Sequence, residues 1–169
     1  MADIQPPAVP AGRPVIQGVV GGLSAALGFL ALLASGLMSH YIAFGTALLL
    51  GGALVVWLAI VGRRIGWITW LATAAGAGAG LLLSLFVTRG SVGGAFGYSH
   101  GLGFPWSWRR GHIESEDWAV VEAARANPAM LSTRVDWTGL GLDLLFWWSV
   151  AVLVIVPIAQ LRRVRKAEA

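Results

Sequence analysis

From Pro14 to Gly62 the chain runs 49 residues without a single Asp, Glu, Lys or Arg. As one helix that run would extend about 73 Å, against a bilayer hydrocarbon core of about 30 Å. It has to turn back once. The polar cluster inside it is Ser39-His40-Tyr41, where the turn is expected, giving helices over 15–38 and 42–61. Two more apolar runs follow: 65–88 lies between Arg64 and Arg89, and 138–161 lies between Trp137 and Arg162, interrupted only by Asp143. With 57% of its residues apolar and 12% charged, the chain has about half the charge of an ordinary soluble domain. A soluble globular protein and a disordered one are both excluded.

The formal net charge is +4, but the basic residues sit where apolar runs end, which is the positive-inside distribution and not a nucleic-acid patch. Four spans place both termini on one side. That side collects Arg13, Arg63, Arg64, Arg162, Arg163, Arg165 and Lys166, while the Ser39–Tyr41 turn has no basic residue. The expected arrangement is an inner-membrane protein with both termini cytoplasmic, a tail over 1–14 and a basic tail over 162–169. The segment 89–137 balances five Arg against five acids and is expected outside. Ala34-Ser35-Gly36 looks like a signal-cleavage site, but the apolar stretch before it exceeds the roughly 7–15 residues of a signal peptide, so an uncleaved helix is expected. There are no cysteines, hence no disulfide or thiolate chemistry.

Between lipid-embedded helices, small residues supply attraction by letting backbones approach. The third span offers Ala72, Gly76, Gly80 and Ser84, the first Gly18, Gly22 and Ala26, and the second Ala43, Ala47 and Gly51. Each is expected to pack along its stripe. No internal repeat relates the two halves, which disfavours an inverted-repeat transporter.

The segment 89–137 is too long for a simple connector. Its first half interleaves Gly90, Gly93, Gly94, Gly97, Gly101, Gly103 and Pro105 with Phe96, Tyr98, Phe104, Trp106 and Trp108. This composition excludes a regular helix and points to an interfacial loop whose aromatics, with Trp137, sit at headgroup level. In the second half, Ser115 can cap a helix over about Glu116–Ala126 that Asn127-Pro128 stops, with Trp118, Val121 and Val120 facing inward. The fold class expected is all-α: an integral membrane four-helix bundle with a structured extracytoplasmic loop containing a short helix.

Asp143 stands about 9 Å along the helix from Trp137, where an unpaired carboxylate costs up to about 2.5–3.5 kcal/mol. Two readings are open: a proton or cation site, or a carboxylate paired with a loop Arg or loop amides. His40, His100 and His112 all lie near one membrane face, so two intramembrane histidines cannot clamp a haem. His40 is a candidate axial ligand to a pigment held by a neighbouring subunit. The run His112-Ile113-Glu114-Ser115-Glu116-Asp117 lacks a tetrahedral set at defined spacing, and no metal or other cofactor is expected beyond lipid or a partner's pigment. Neither G-x-S-x-G nor a phosphate-binding G-x-x-x-x-G-K-[ST] occurs, and a Ser-His-acid pairing cannot be specified from spacing. No catalytic residue, and no enzyme, is expected.

Gly103-Phe104-Pro105-Trp106-Ser107-Trp108, then Val135-Asp136-Trp137-Thr138-Gly139-Leu140 and Asp143-Leu144-Leu145-Phe146-Trp147, resemble a pattern in small, mostly uncharacterised prokaryotic membrane proteins. In these a Gly-Phe-Pro outer loop precedes a final helix opening with Asn or Asp and a downstream Phe-Trp. The resemblance spans about the last 65 residues. It implies that loop and final helix form one unit. With Trp147 and Trp148 suited to contact another protein or a large apolar cofactor, the expected function is a non-enzymatic accessory or assembly subunit of a larger membrane complex. The alternative is a small proton- or cation-coupled transporter or channel using Asp143.

Overall fold

The computed structural model describes residues 12–93 and 97–168. The expectations for residues 1–11, Gly94, Phe96 and Ala169 fall outside them. Helices α1 (Gly12–Leu33), α2 (Ser39–Ile60) and α3 (Trp67–Ser84) come first, and α5 (Trp137–Glu168) closes the chain. All four contain stretches long and apolar enough to cross a membrane: Val15–Leu33, Ser39–Ile60, Trp67–Ser84 and Trp137–Arg163. Between α3 and α5 lie strands β1 (Thr88–Gly93), β2 (Gly97–Leu102) and β3 (Arg109–Glu114), helix α4 (Trp118–Ala126), a single 3-10 turn and strand β4 (Thr133–Val135).

The all-α expectation is thus corrected. The chain is mostly helical, but it carries a four-stranded antiparallel sheet in the order β1-β2-β3-β4. By composition the glycine-rich segment reads as a loop, because glycine has poor strand propensity. Its backbone still needs hydrogen-bond partners, and with helix excluded the ladder Thr88↔Leu102 through Gly93↔Gly97 supplies them. One sheet face is covered by α4, with Tyr98, Val121, Ala124 and Leu131 forming a small core. Helix α4 starts two residues later than expected, because Asp117 accepts from the Ala119 amide at 2.9 Å while the Ser115 hydroxyl only accepts from Asp117. Val121 is buried, but Trp118 and Val120 point outward.

The α1–α2 turn also moves. It occupies 34–38, with Gly36 and Leu37 at φ +50° and +66°, and Ser39-His40-Tyr41 opens α2 instead. Glycine's freedom to adopt positive φ, not side-chain polarity, locates the reversal.

The helices do not close into a four-helix bundle. They pack in the order α1, α2, α5, α3, with α2 and α5 central. Gly21 and Gly28 of α1 face Gly52 and Gly45 of α2, two pairs seven residues apart on each helix, so backbones nearly touch. Gly22 has open space instead, and Gly18 only a loose neighbour in Ala59; the contact stripe of α1 runs one position away from the one expected. Ala26 is exposed. On α3, Gly76 faces Ile155 and Ala151, Gly80 lies against the Trp147 ring, and Ser84 is buried, whereas Ala72 is exposed and Thr73 takes its place in the contact. Gly51 lies close to Ser149, joining α2 to α5. At the end away from the sheet, the Arg163 guanidinium donates to the Arg64 carbonyl at 2.9 Å and clips the α2–α3 turn to α5.

Candidate functional site

At the sheet end, Gly103–Trp108 dips between the helix ends and is clamped to α5. Asp143 and Trp147 are one turn apart on the same helical face. Asp143 Oδ1 accepts from the Trp106 amide at 2.8 Å, and Trp147 Nε1 donates to the Phe104 carbonyl at 3.0 Å. Arg89 Nη1 donates to the carbonyl between them, that of Pro105, at 3.1 Å, and its guanidinium lies 5.6 Å from the Phe104 ring centre. Pro105 itself offers no N–H. Each of three consecutive residues so has one backbone polar group paired by a side chain from α5 or β1.

Sequence spacing could not show why Gly103 is glycine. Its φ is +127°, and a Cβ there would run into the Trp106 carbonyl and the Trp108 ring and come within 3.1 Å of Asp143 Oδ2. Asp143 is fully buried, and this second oxygen has no hydrogen-bond partner among the described residues. Trp106 seals the loop on its other side, with its ring edge-on to His40, Tyr41 and Phe44 at 5.9, 5.5 and 4.6 Å. His40 is therefore engaged by the chain's own aromatics. Trp108 places Nε1 3.5 Å from the Ser84 hydroxyl, Trp148 stacks on Trp70 at 5.8 Å, and Trp137 is 76% exposed. Of the tryptophans expected at an interface, Trp147 and Trp148 are thus largely engaged inside the fold.

The sheet face away from α4 borders an open cleft of about 850 Å³. Strand pairing sets its contents, since residues opposite one another in the ladder share a face. One rung is Arg89–Gly101–Arg110 and the next is Ser91–Ser99–His112. Ser107 sits directly over Gly101, where a Cβ would collide with it, and His40 and Trp106 form the opposite wall. Both arginines are anchored. Arg89 is held by Pro105, and Arg110 donates Nε to the Ser107 carbonyl at 2.7 Å and Nη2 to Asp136 at 3.0 Å. Asp136 in turn caps α5, its Oδ1 accepting from the Thr138 and Gly139 amides at 3.1 Å. Among the described residues no carboxylate lines the cleft directly, but Asp136 and Glu114 lie behind its wall on Arg110 and His112.

A Ser-His-acid row, which spacing left unspecified, appears here. The Ser99 hydroxyl is 2.7 Å from His112 Nδ1, and His112 Nε2 is 3.0 Å from Glu114 Oε1. In the second strand of the sheet the amides around Ser99 pair with β1 and β3, so no pair of free N–H groups stands beside the hydroxyl to hold an oxyanion intermediate. The row orients His112. His100 also borders the cleft, but its ring stacks toward Tyr98 at 6.4 Å. Among the described residues no group of three His, Asp or Glu side chains is arranged around a metal position. The only sequence signal for this site was the alternation Arg89, Ser91 and Arg110, His112, which reads as a strand pattern only once the glycines between are accepted into a sheet.

Comparison with protein-family models, with curated proteins and with solved structures gives no match for this chain.

Proposed function

We propose that the chain is a non-enzymatic accessory or assembly subunit of a larger membrane protein complex, resident in an inner membrane with both termini cytoplasmic. The observation that carries this reading is the burial of Asp143. The sole carboxylate within the apolar part of the spans is sealed beneath the chain's own loop and bonded to it, where a transport site needs an aqueous approach. The open packing order also leaves α1 and α3 broadly apolar outward, with Leu23, Leu27, Leu30, Leu71, Leu82 and Leu83 all more than half exposed, surface available to lipid and to other membrane subunits. The competing reading, a proton- or cation-coupled transporter or channel, draws on the unpartnered Oδ2 of Asp143.

One variant separates the two. Asn is isosteric with Asp and still accepts from the Trp106 amide, so Asp143→Asn is expected to cost about 1–3 kcal/mol, the difference between a charged and a neutral acceptor. Under the subunit reading the variant still co-purifies, after gentle detergent extraction, with the same stoichiometric membrane chains as the parent. A parent that migrates alone and carries a proton or cation flux in vesicles, with that flux abolished in Asp143→Asn, overturns it.

The orientation is tested separately. A reporter fused after Ala169 is expected to be active only when it is of the kind that works in the cytoplasm, because the Arg63, Arg64 and Arg162–Arg165 cluster should remain inside. Activity of an external reporter at that position reverses the assignment.

A further inference from the structure

We propose that the cleft on the open face of the sheet is an oxyanion site that takes a phosphate group at the level of the lipid headgroups. Four observations converge on it.

The first is charge. Arg89 and Arg110 flank Gly101 from the two neighbouring strands, so their Cα positions lie about 9–10 Å apart across the sheet. A tetrahedral dianion or phosphate monoester between them can take donors from both sides. Asp136, 3.0 Å from Arg110, offsets one of these like charges, whereas among the described residues Arg89 forms no salt bridge, so the pair retains an attraction for an anion.

The second is orientation. Each guanidinium uses some of its five N–H donors to reach a backbone carbonyl, Pro105 for Arg89 and Ser107 for Arg110, and keeps others unassigned. These carbonyls hold both side chains in place before any ligand arrives, and the planar fork of Arg matches a phosphate edge. Asp136 neutralises Arg110 in part, which leaves Arg89 as the stronger attractor.

The third is the lining between the arginines. The hydroxyls of Ser91 and Ser107 add neutral donors, with Ser107 filling the space over Gly101, while the Ser99 hydroxyl and both His112 nitrogens are already bonded within the Ser99–His112–Glu114 row. The fourth is depth. Arg89 follows the apolar part of α3 by five residues, and His40 is in the first turn of α2, so the floor of the cleft is where these two spans end. Phosphate at that level is carried by phospholipid headgroups, and it is also reached by soluble phosphate esters. The shared chemistry is the phosphate group, and the two sources separate by experiment.

The full chain is placed in nanodiscs of phosphatidylcholine and titrated with inorganic phosphate, with the change in intrinsic tryptophan fluorescence that is lost in Trp106→Phe as the readout. In parallel it is extracted from vesicles containing phosphatidylglycerol, and retained lipid is measured by native mass spectrometry. Saturable binding in the first arm identifies a soluble source, and selective retention of phosphatidylglycerol in the second identifies a headgroup. Arg89→Gln is expected to weaken whichever signal is present by about tenfold, the effect of losing a charge-assisted pair. Because Arg89 also holds Pro105, the variant Ser91→Ala, at an exposed position on the sheet, is tested beside it and is expected to weaken binding severalfold with an unchanged melting curve. Arg125→Gln removes one charge from α4, where Arg125 faces Glu122 at 3.7 Å, and is expected to leave binding unchanged. Absence of a signal in both arms overturns the proposal. So does a loss in Arg125→Gln equal to that in Arg89→Gln, or full binding by both cleft variants.

Discussion

Gly52→Leu is expected to detach α1 from α2. A Cβ at position 52 would lie on the backbone nitrogen of Ala25 and 2.5 Å from the Gly21 carbonyl oxygen. Backbone cannot move aside as a side-chain tip does, so the helices must separate along the whole interface that Gly21, Gly28, Gly45 and Gly52 create. Overpacking typically costs about 1–3 kcal/mol, and a backbone collision belongs at or above the upper end of that range. Leucine's better helix propensity returns less than about 1 kcal/mol and does not change the sign. In lipid no hydrophobic force holds α1 against α2 once close contact is gone. Thermal unfolding in mild detergent, followed by tryptophan fluorescence, should show a clearly lowered transition for Gly52→Leu and an unchanged one for Gly22→Leu, whose Cβ would meet nothing within 4 Å. Equal stability of the two variants would refute the interlocked glycine pairs.

Gly80→Leu should be nearly as damaging and should act at a distance. Its Cβ would overlap the Trp147 ring, and the ring cannot simply rotate away because its Nε1 is bonded to the Phe104 carbonyl at 3.0 Å. Displacing Trp147 releases one of the two bonds from α5 to the Gly103–Trp108 loop and strains the other, between Asp143 and the Trp106 amide. The expected loss is about 1–3 kcal/mol from overpacking, with part of a hydrogen bond added. Two measurements distinguish this from general helix damage. Protection of the Trp106 amide against hydrogen exchange should fall in Gly80→Leu, and both protection and melting should be unaffected in Gly78→Leu, which faces open space. Retained amide protection in Gly80→Leu would show that the loop is held independently of α3.

These two variants mark where reading by spacing stops. A small residue at every fourth position on α3 selects Ala72, Gly76, Gly80 and Ser84 as candidates for close packing, because a helix repeats its face at that interval; in the structure Gly76 and Gly80 lie against α5 and Ala72 is exposed. On α1 the same rule selected Gly18 and Gly22 and passed over Gly21 and Gly28. Both sets lie on a helical face. Which one meets α2 depends on helix rotation, and rotation is set by the partner glycines at 45 and 52, not by anything local to α1.

Charge and hydropathy along the chain were sufficient for four long apolar helices, since a 49-residue uncharged run admits few arrangements in water or lipid. They were sufficient too to mark Asp143 as a carboxylate that has to face protein or water. The partner itself, the Trp106 amide 37 positions earlier, is set by how the Gly103–Trp108 loop lies against α5. The sheet was invisible for a related reason. A strand of Thr-Arg-Gly-Ser-Val-Gly has little intrinsic preference for extended structure, and becomes a strand only because β2 pairs with it along six positions. Local sequence thus determined which segments enter the membrane and which residues are costly there, because those follow from transfer free energies of individual side chains. Tertiary structure alone decided the α1–α2–α5–α3 order, the clamp on the loop and the assembly of Arg89, Arg110, Ser99 and His112 into one cleft. Each of these depends on strand register or helix rotation, and a shift of one residue would turn the same side chains to the opposite face.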